Sequence, residues 1–121
     1  MNLRKIDHLI ATKVLGWEYH EAIYTWGELF SLAKYVTKDG REILTHDLPH
    51  FSTNLLDAWK VVEKLKIAVI PQIGNPPKNM QYLAEIDKRP LGGYYEAFAE
   101  TAPLAICLVA LKLVGVEVNE L

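Results

Sequence analysis

YYEAFAETAPLAICLVALKLVG, residues Tyr94 to Gly115, decides the fold of this chain. Its first seven residues, Tyr94 to Glu100, read as a strand in which Glu96 and Glu100 share one face by the two-residue period. Thr101 then supplies a side-chain oxygen for a helix N-cap, and Pro103 sits in the first turn, where no intrahelical N–H is lost. Gly115 ends the helix. Between these marks only Lys112 is charged. A helix apolar nearly all round has to be covered on more than one side. Either it is the central helix, or one face of the 101–114 helix meets a second copy, which makes a homo-oligomer the expected assembly.

Upstream, two more strands are expected. Ile67 to Gln72 is a largely apolar run stopped by Gly74-Asn75-Pro76-Pro77. Met80 to Ile86 is separated from the Tyr94 strand by Asp87-Lys88-Arg89-Pro90-Leu91-Gly92-Gly93, too short for a parallel crossover, so these two strands are antiparallel neighbours. Before them a helix starts after Pro49, capped by Ser52 or Thr53, with Leu55, Ala58, Trp59, Val62 and Leu65 on its apolar face. Asp57, Lys60, Glu63 and Lys66 lie opposite, a solvated face with pairs at i,i+3 spacing.

The first helix covers residues 2–15. Leu3, Ile6, Leu9, Ile10, Val14 and Leu15 follow helical spacing, and Arg4, Lys5, Asp7, His8 and Lys13 take the other face. Gly16 accepts the positive φ of a helix stop. Charges run through this N-terminal segment, which has no apolar core or small-residue cleavage pattern of a secretory signal. From Trp17 to Ala33 the chain is rich in aromatics without a long period. Irregular structure is expected there, with a short helix at 28–33. Tyr35-Val36-Thr37 and Glu42-Ile43-Leu44 flank Asp39-Gly40, a hairpin signal because both turn positions tolerate positive φ.

Length and composition agree with one domain over residues 1–121. Half of the 121 residues are hydrophobic and 23% are charged, which excludes wholesale disorder. Thirteen basic and fifteen acidic side chains give a net charge of -2, without the basic footprint of a duplex nucleic-acid binder. The single cysteine, Cys107, makes no intramolecular disulfide and suits a reducing cytoplasm. No apolar run approaches the roughly 18 residues that span a bilayer.

Three segments, in order, resemble the phage ABA-sandwich domain of bacteriophages and prophages of Gram-positive bacteria. They are Lys13 to Trp17, Phe51 to Leu65, and Tyr95 to Leu108, the last being the most specific. The resemblance covers most of the chain. It implies an α/β (α+β) fold, with an antiparallel sheet of about four to five strands packed with three helices in three layers. It implies no reaction, since the family carries no catalytic motif. Trp26 to Leu48 departs most from the pattern, which places variable specificity there. By size and layout the chain is also loosely similar to phage proteins that sequester cyclic nucleotide signals of bacterial immunity, such as the Thoeris anti-defence sponges. None of their binding residues is matched to a position here.

Candidate chemistry is sparse. His46-Asp47-Leu48-Pro49-His50 holds two imidazoles and a carboxylate, but the proline prevents the i,i+4 convergence of a helical metal site and no third ligand is evident. Cys107 lies inside an apolar helix, where a thiol behaves as a small hydrophobe. Ser31 and Ser52 lack a nucleophile elbow. Glu85, Glu96 and Glu100 form a carboxylate row suited to acid–base work, or simply a wet sheet face. Gly92-Gly93 precedes a strand rather than a helix and makes no phosphate fingerprint.

Arg41, Lys78, Lys88 and Arg89 stand in or beside turns, near the aromatics Trp26, Tyr82 and Tyr94. Aromatic stacking plus bidentate arginine holds a nucleotide without hydrolysing it. The expected ligand site therefore comprises Trp26, Arg41, His46, His50, Lys78, Tyr82, Arg89 and Tyr94, with no catalytic residue, metal or cofactor. The expected protein is a non-enzymatic phage or prophage product in the host cytoplasm. It would sequester a nucleotide-derived immune signal, of cyclic nucleotide or cyclic ADP-ribose type. The alternatives are a structural or protein-interaction module without a small ligand, and a small hydrolase using His46, His50 or the glutamates.

Overall fold

The computed structural model of the protein describes residues 1–118. Three helices and eight strands follow one another: α1 (Leu3–Leu9), β1 (Glu18–His20), β2 (Ile23–Thr25), β3 (Glu28–Ser31), β4 (Lys34–Val36), β5 (Glu42–Leu44), α2 (Leu55–Leu65), β6 (Ala68–Pro71), β7 (Tyr82–Asp87), β8 (Tyr94–Ala99) and α3 (Ala102–Leu113). The strands form three small antiparallel sheets, in the orders β1-β4-β5, β2-β3 and β6-β7-β8. The α+β class and the three helices are those expected. The strands are divided among three sheets where one sheet of four to five was expected.

α3 is the central helix. Thr101 caps it by accepting the Leu104 N–H at 3.4 Å, and Gly115 follows its end at φ +83°. Pro103 and every residue from Ala105 to Leu111 are buried. One side of α3 lies on β7 and β8, and the other meets α2 and the N-terminal helix. On the sheet, Ala84 and Ala97 face each other in register beside Ala99, all nearly inaccessible. These short side chains let the helix backbone approach closely, as the two-residue period puts them on one face. The apolarity of 101–114 is thus satisfied largely within the chain, with Leu104 and Leu113 half-buried and Lys112 and Val114 exposed.

The N-terminal helix opens on Asn2, whose side chain accepts the Lys5 N–H, and widens over Ile10–Val14 into a π-helical turn. There Leu15 donates to Ile10 and Trp17 to Ala11, and Gly16 takes φ +73°. Its buried side is Ile6, Asp7, Ile10, Ala11 and Val14. Asp7 therefore lies on the buried side, not on the polar one. Helical spacing places it one turn above Leu3, a position that apolar residues normally fill.

α2 also differs in detail. Its N-cap is Asn54, which accepts the Asp57 N–H, rather than Ser52 or Thr53. Ser52 is buried and donates its hydroxyl to the Leu3 carbonyl instead. Ala58, Val61 and Val62 face the core. Leu55 and Trp59, expected inside, are about half exposed at 51% and 47%, since the side of α2 that is buried is that of Ala58, Val61 and Val62.

Residues 17–33 hold three short strands, and 28–33 contains β3 rather than a helix. The β2–β3 hairpin turns at Trp26-Gly27, with φ of 57° and 80°. Positive φ at both central residues is the twist-compatible two-residue turn. Phe30 is the extra residue of a bulge between the Ile23–Ser31 and Tyr24–Leu29 pairs. Trp17, Tyr19, Tyr35, His8 and Phe51 stack as an aromatic cluster, with ring centroids 5.0–6.4 Å apart, and fasten β1 and β4 to the N-terminal helix. None of the described helices is long and apolar enough to cross a membrane.

Candidate functional site

The β7–β8 hairpin carries a polar cluster on the surface. Glu85 and Glu96 are cross-strand partners, and Asp87 faces Tyr94. The Tyr94 hydroxyl donates to Glu85 at 2.5 Å and to Glu96 at 3.0 Å. Those bonds, Glu85's first, push the phenol well above its ordinary range. Arg89 grips Asp87 through two parallel bonds, Nε to Oδ1 at 3.0 Å and a terminal nitrogen to Oδ2 at 2.8 Å. That grip holds the Asp87 carboxyl down at about 2. The guanidinium also lies over the Tyr94 ring, 4.7 Å from its centroid.

Of the eight residues expected to hold a ligand, the structure joins only Arg89 and Tyr94. Tyr82 opens β7 and is half-buried, and Lys78 lies just before it, 3.8 Å from Glu100. Both are separated from Arg89 by the length of a six-residue strand, about 17 Å. Arg41 is on the β4–β5 turn, paired at 3.4 Å with Asp39. The Asp39 carboxyl is held low, chiefly by the Thr37 hydroxyl. Trp26 is at the tip of its hairpin, 98% exposed. His46 is exposed beside Asp47 at 3.5 Å.

His50 belongs to a different constellation, one that sequence reasoning missed. Arg4 donates to its Nδ1 at 3.0 Å, to the carbonyls of Leu48 and Pro49, and to Asp7 at 2.8 Å. Asp7, 1% exposed, accepts the buried Ser52 N–H with its other oxygen at 2.8 Å. This knot ties the N-terminal helix to the segment before α2. The signal that marks it is a carboxylate on the apolar stripe of an amphipathic helix. Beside it His8 shares a 2.7 Å hydrogen bond with the Tyr35 hydroxyl. Burial lowers the His8 pKa, and burial, first among its causes, raises that of Tyr35.

Cavities lie elsewhere. A cleft of about 570 Å³ runs between the free edge of β8 and α3, lined by Phe98, Leu104, Leu108 and Lys112 among others. Lys112 reaches across it to donate to the Glu96 carbonyl at 2.8 Å. A second, of about 260 Å³, is the apolar notch formed by Leu55, Leu56 and Trp59 on α2. None of the eight expected residues lines either one.

No three His, Cys, Asp or Glu side chains among the described residues gather as metal ligands. Cys107 is buried, and desolvation pushes its thiol far up, away from the reactive thiolate. The Glu85–Glu96 pair is real, but its proton donor is Tyr94, and Glu100 is drawn to Lys78 instead.

The phage ABA sandwich domain model matches residues 8–111. Among solved structures, a phage protein from Bacillus cereus ATCC 14579 superimposes with a TM-score of 0.71 at 31% identity, covering 98% of this chain and 92% of that one. No curated protein matches the chain.

Proposed function

The chain belongs to the phage ABA sandwich domain family, and from that premise we propose that it is a non-enzymatic phage or prophage protein that works by docking rather than by chemistry. One observation carries this reading. The polar side chains best suited to a ligand are already engaged with one another, whereas large apolar side chains on the β2–β3 hairpin and α2 stand in solvent. Arg89 is taken by Asp87, and Glu85 and Glu96 add negative charge around it. Such a patch repels phosphate. Exposed contiguous apolar surface, by contrast, is a mark of interaction sites.

A second reading, sequestration of a nucleotide-derived immune signal to blunt host antiphage defence, is favoured by the Arg89–Tyr94 stack. An arginine over an aromatic ring is a unit that grips a base and a phosphate. A nucleotide there has to displace Asp87 from the guanidinium.

Thermal shift of the purified chain against cyclic nucleotides and cyclic ADP-ribose isomers, followed by chromatography of the recovered compounds, separates the readings. A docking protein gives no shift and returns every compound unchanged. A shift with one compound recovered intact, about 2.7 kcal/mol at a hundred times its dissociation constant, replaces docking with sequestration. A changed product makes the protein an enzyme and removes both.

A further inference from the structure

β8 ends the β6-β7-β8 sheet, so one of its edges is paired with β7 and the other is open. The register decides which groups stand on the open edge. Lys88 donates its N–H to the Gly93 carbonyl at 2.8 Å, which makes 88–93 a hydrogen-bonded pair of the antiparallel ladder. Bonded and non-bonded pairs alternate along such a ladder. Ile86–Tyr95, Ala84–Ala97 and Tyr82–Ala99 are therefore bonded, and the N–H and C=O of Tyr94, Glu96 and Phe98 point away from β7. Lys112 shows the same parity, because its amine reaches the Glu96 carbonyl from outside the sheet. Among the described residues, no other backbone group meets the outward groups of these three.

A row of main-chain donors and acceptors at every second residue is what another extended backbone recognises. The surroundings select the sequence of that strand. On the α3 side the edge opens into the cleft of about 570 Å³ along Leu104 and Leu108, which takes an apolar side chain. On the opposite face Glu85 and Glu96 stand together on the Tyr94 hydroxyl, and neither is in an ion pair among the described residues. The charges at the two ends of the edge, Asp87 with Arg89 and Glu100 with Lys78, balance each other. Lys112 comes from the α3 side and caps the Glu96 carbonyl rather than either carboxylate. The strand that fits alternates basic and apolar residues. A second copy of β8 fits badly. Antiparallel self-pairing centred between Glu96 and Phe98 sets the Glu96 and Glu100 carboxylates of the two copies opposite or diagonal to one another, and like charges across a strand pair are destabilising.

We propose that the open edge of β8 receives an extended strand of a partner protein, paired main chain to main chain with Glu96 and Phe98. Its basic side chains lie over Glu85 and Glu96, and its alternate apolar side chains enter the cleft along α3. Lys112 guards the edge until the strand arrives, then gives up the Glu96 carbonyl to it. This site rests on the docking reading and gives it a surface and a partner chemistry.

The test uses labelled synthetic peptides of strand length, titrated into the full chain and followed by fluorescence anisotropy. A peptide alternating lysine and valine is expected to bind, and one alternating glutamate and valine to bind about tenfold more weakly or less. Residues opposed in a bonded antiparallel pair project to the same face, so the lysines are the residues whose N–H groups meet β8. N-methylation of the lysine amides is expected to abolish binding, whereas N-methylation of the valine amides, which point away, leaves it intact. Amide exchange read by NMR is expected to slow at the Glu96 and Phe98 N–H groups when the lysine peptide is added. Glu96→Gln, at an exposed position, is expected to narrow the gap between the two peptides. No binding of the lysine peptide, equal binding of the glutamate peptide, or indifference to lysine N-methylation overturns the edge site. So does slowed exchange at Phe98 that grows with protein concentration alone, since that makes a second copy the occupant. None of these results removes the docking reading, which the nucleotide screen with product analysis decides.

Discussion

Replacing Asp7 by alanine removes the one carboxylate that is buried among the described residues. Two partners lose their acceptor. The Ser52 N–H, 2.8 Å from Oδ1, belongs to a residue only 2% exposed, so water does not replace the lost bond. An orphaned buried donor costs about 1–3 kcal/mol. Arg4 keeps its bonds to Leu48, Pro49 and His50 but loses the 2.8 Å ion pair. Breaking a buried pair costs about 3–5 kcal/mol. Arg4 is 42% exposed, so water recovers part of that loss and the lower end applies. The expected destabilisation is therefore about 3 kcal/mol, including the orphaned N–H. For a domain of this size that lowers Tm by roughly 12 °C.

Asp7→Asn retains an acceptor for Ser52 and loses the charge, so it is expected to cost about half as much. Arg4→Met strands the carboxylate against a single N–H. In a double-mutant cycle the two losses should fall short of additivity by about 1 kcal/mol or more, because each variant removes the same pair. Urea unfolding followed by tryptophan fluorescence suits the measurement, since Trp17 sits 6.1 Å from Phe51 next to this segment. A loss below about 1 kcal/mol for Asp7→Ala, or full additivity in the cycle, refutes the role given to the knot.

Three further outcomes follow from local geometry. Lys66 ends α2 at φ +59°, so Lys66→Gly is expected to raise stability by about 0.5 kcal/mol, read from the urea midpoint. Cys107 is buried with its thiol pushed up, so a thiol reagent should modify the native chain only as fast as it unfolds, and labelling rate should rise with urea in step with unfolding. His8 has a folded pKa below its unfolded value of about 6.5. Folding therefore favours the neutral ring, and the stability it contributes is complete above that value and lost as pH falls through the folded one. His8→Gln, which can still bond Tyr35, should show a shallower loss between pH 7 and 5 than the wild type, measured by urea midpoints.

The second half of the chain was legible because its core and its local signals agree. Thr101, Pro103 and Gly115 bracket α3 as their chemistry demands, and the loop before Tyr94 forces β7 and β8 antiparallel. In the first half the two helices and the hairpin at Asp39-Gly40 were legible, whereas the stretch from 17 to 33 was not. β1 to β3 are three or four residues long and largely exposed on both faces, so no alternation of apolar and polar residues marks them. Their turn is built on Trp26-Gly27 where Asn-Gly would have been read at once. Leu55 and Trp59 misled for a related reason. An apolar residue at helical spacing looks the same whether it fills a core or a notch in the surface.

Two cations of the expected ligand site are engaged locally, in a pattern that the sequence does contain. Arg41 and Arg89 each stand two residues after an aspartate, Asp39 and Asp87, and in both turns the arginine folds back onto that carboxylate. At two-residue separation across a turn the side chains meet without long-range help. Such an arginine meets an incoming phosphate only after giving up its own counter-charge. Cations that serve ligands well stand free of a local acid or at the mouth of a cleft. Lys60 and Lys64 fail the first condition, with Asp57 and Glu63 within one turn of them on α2. What stands bare in this chain is apolar, on the β2–β3 arm and on α2.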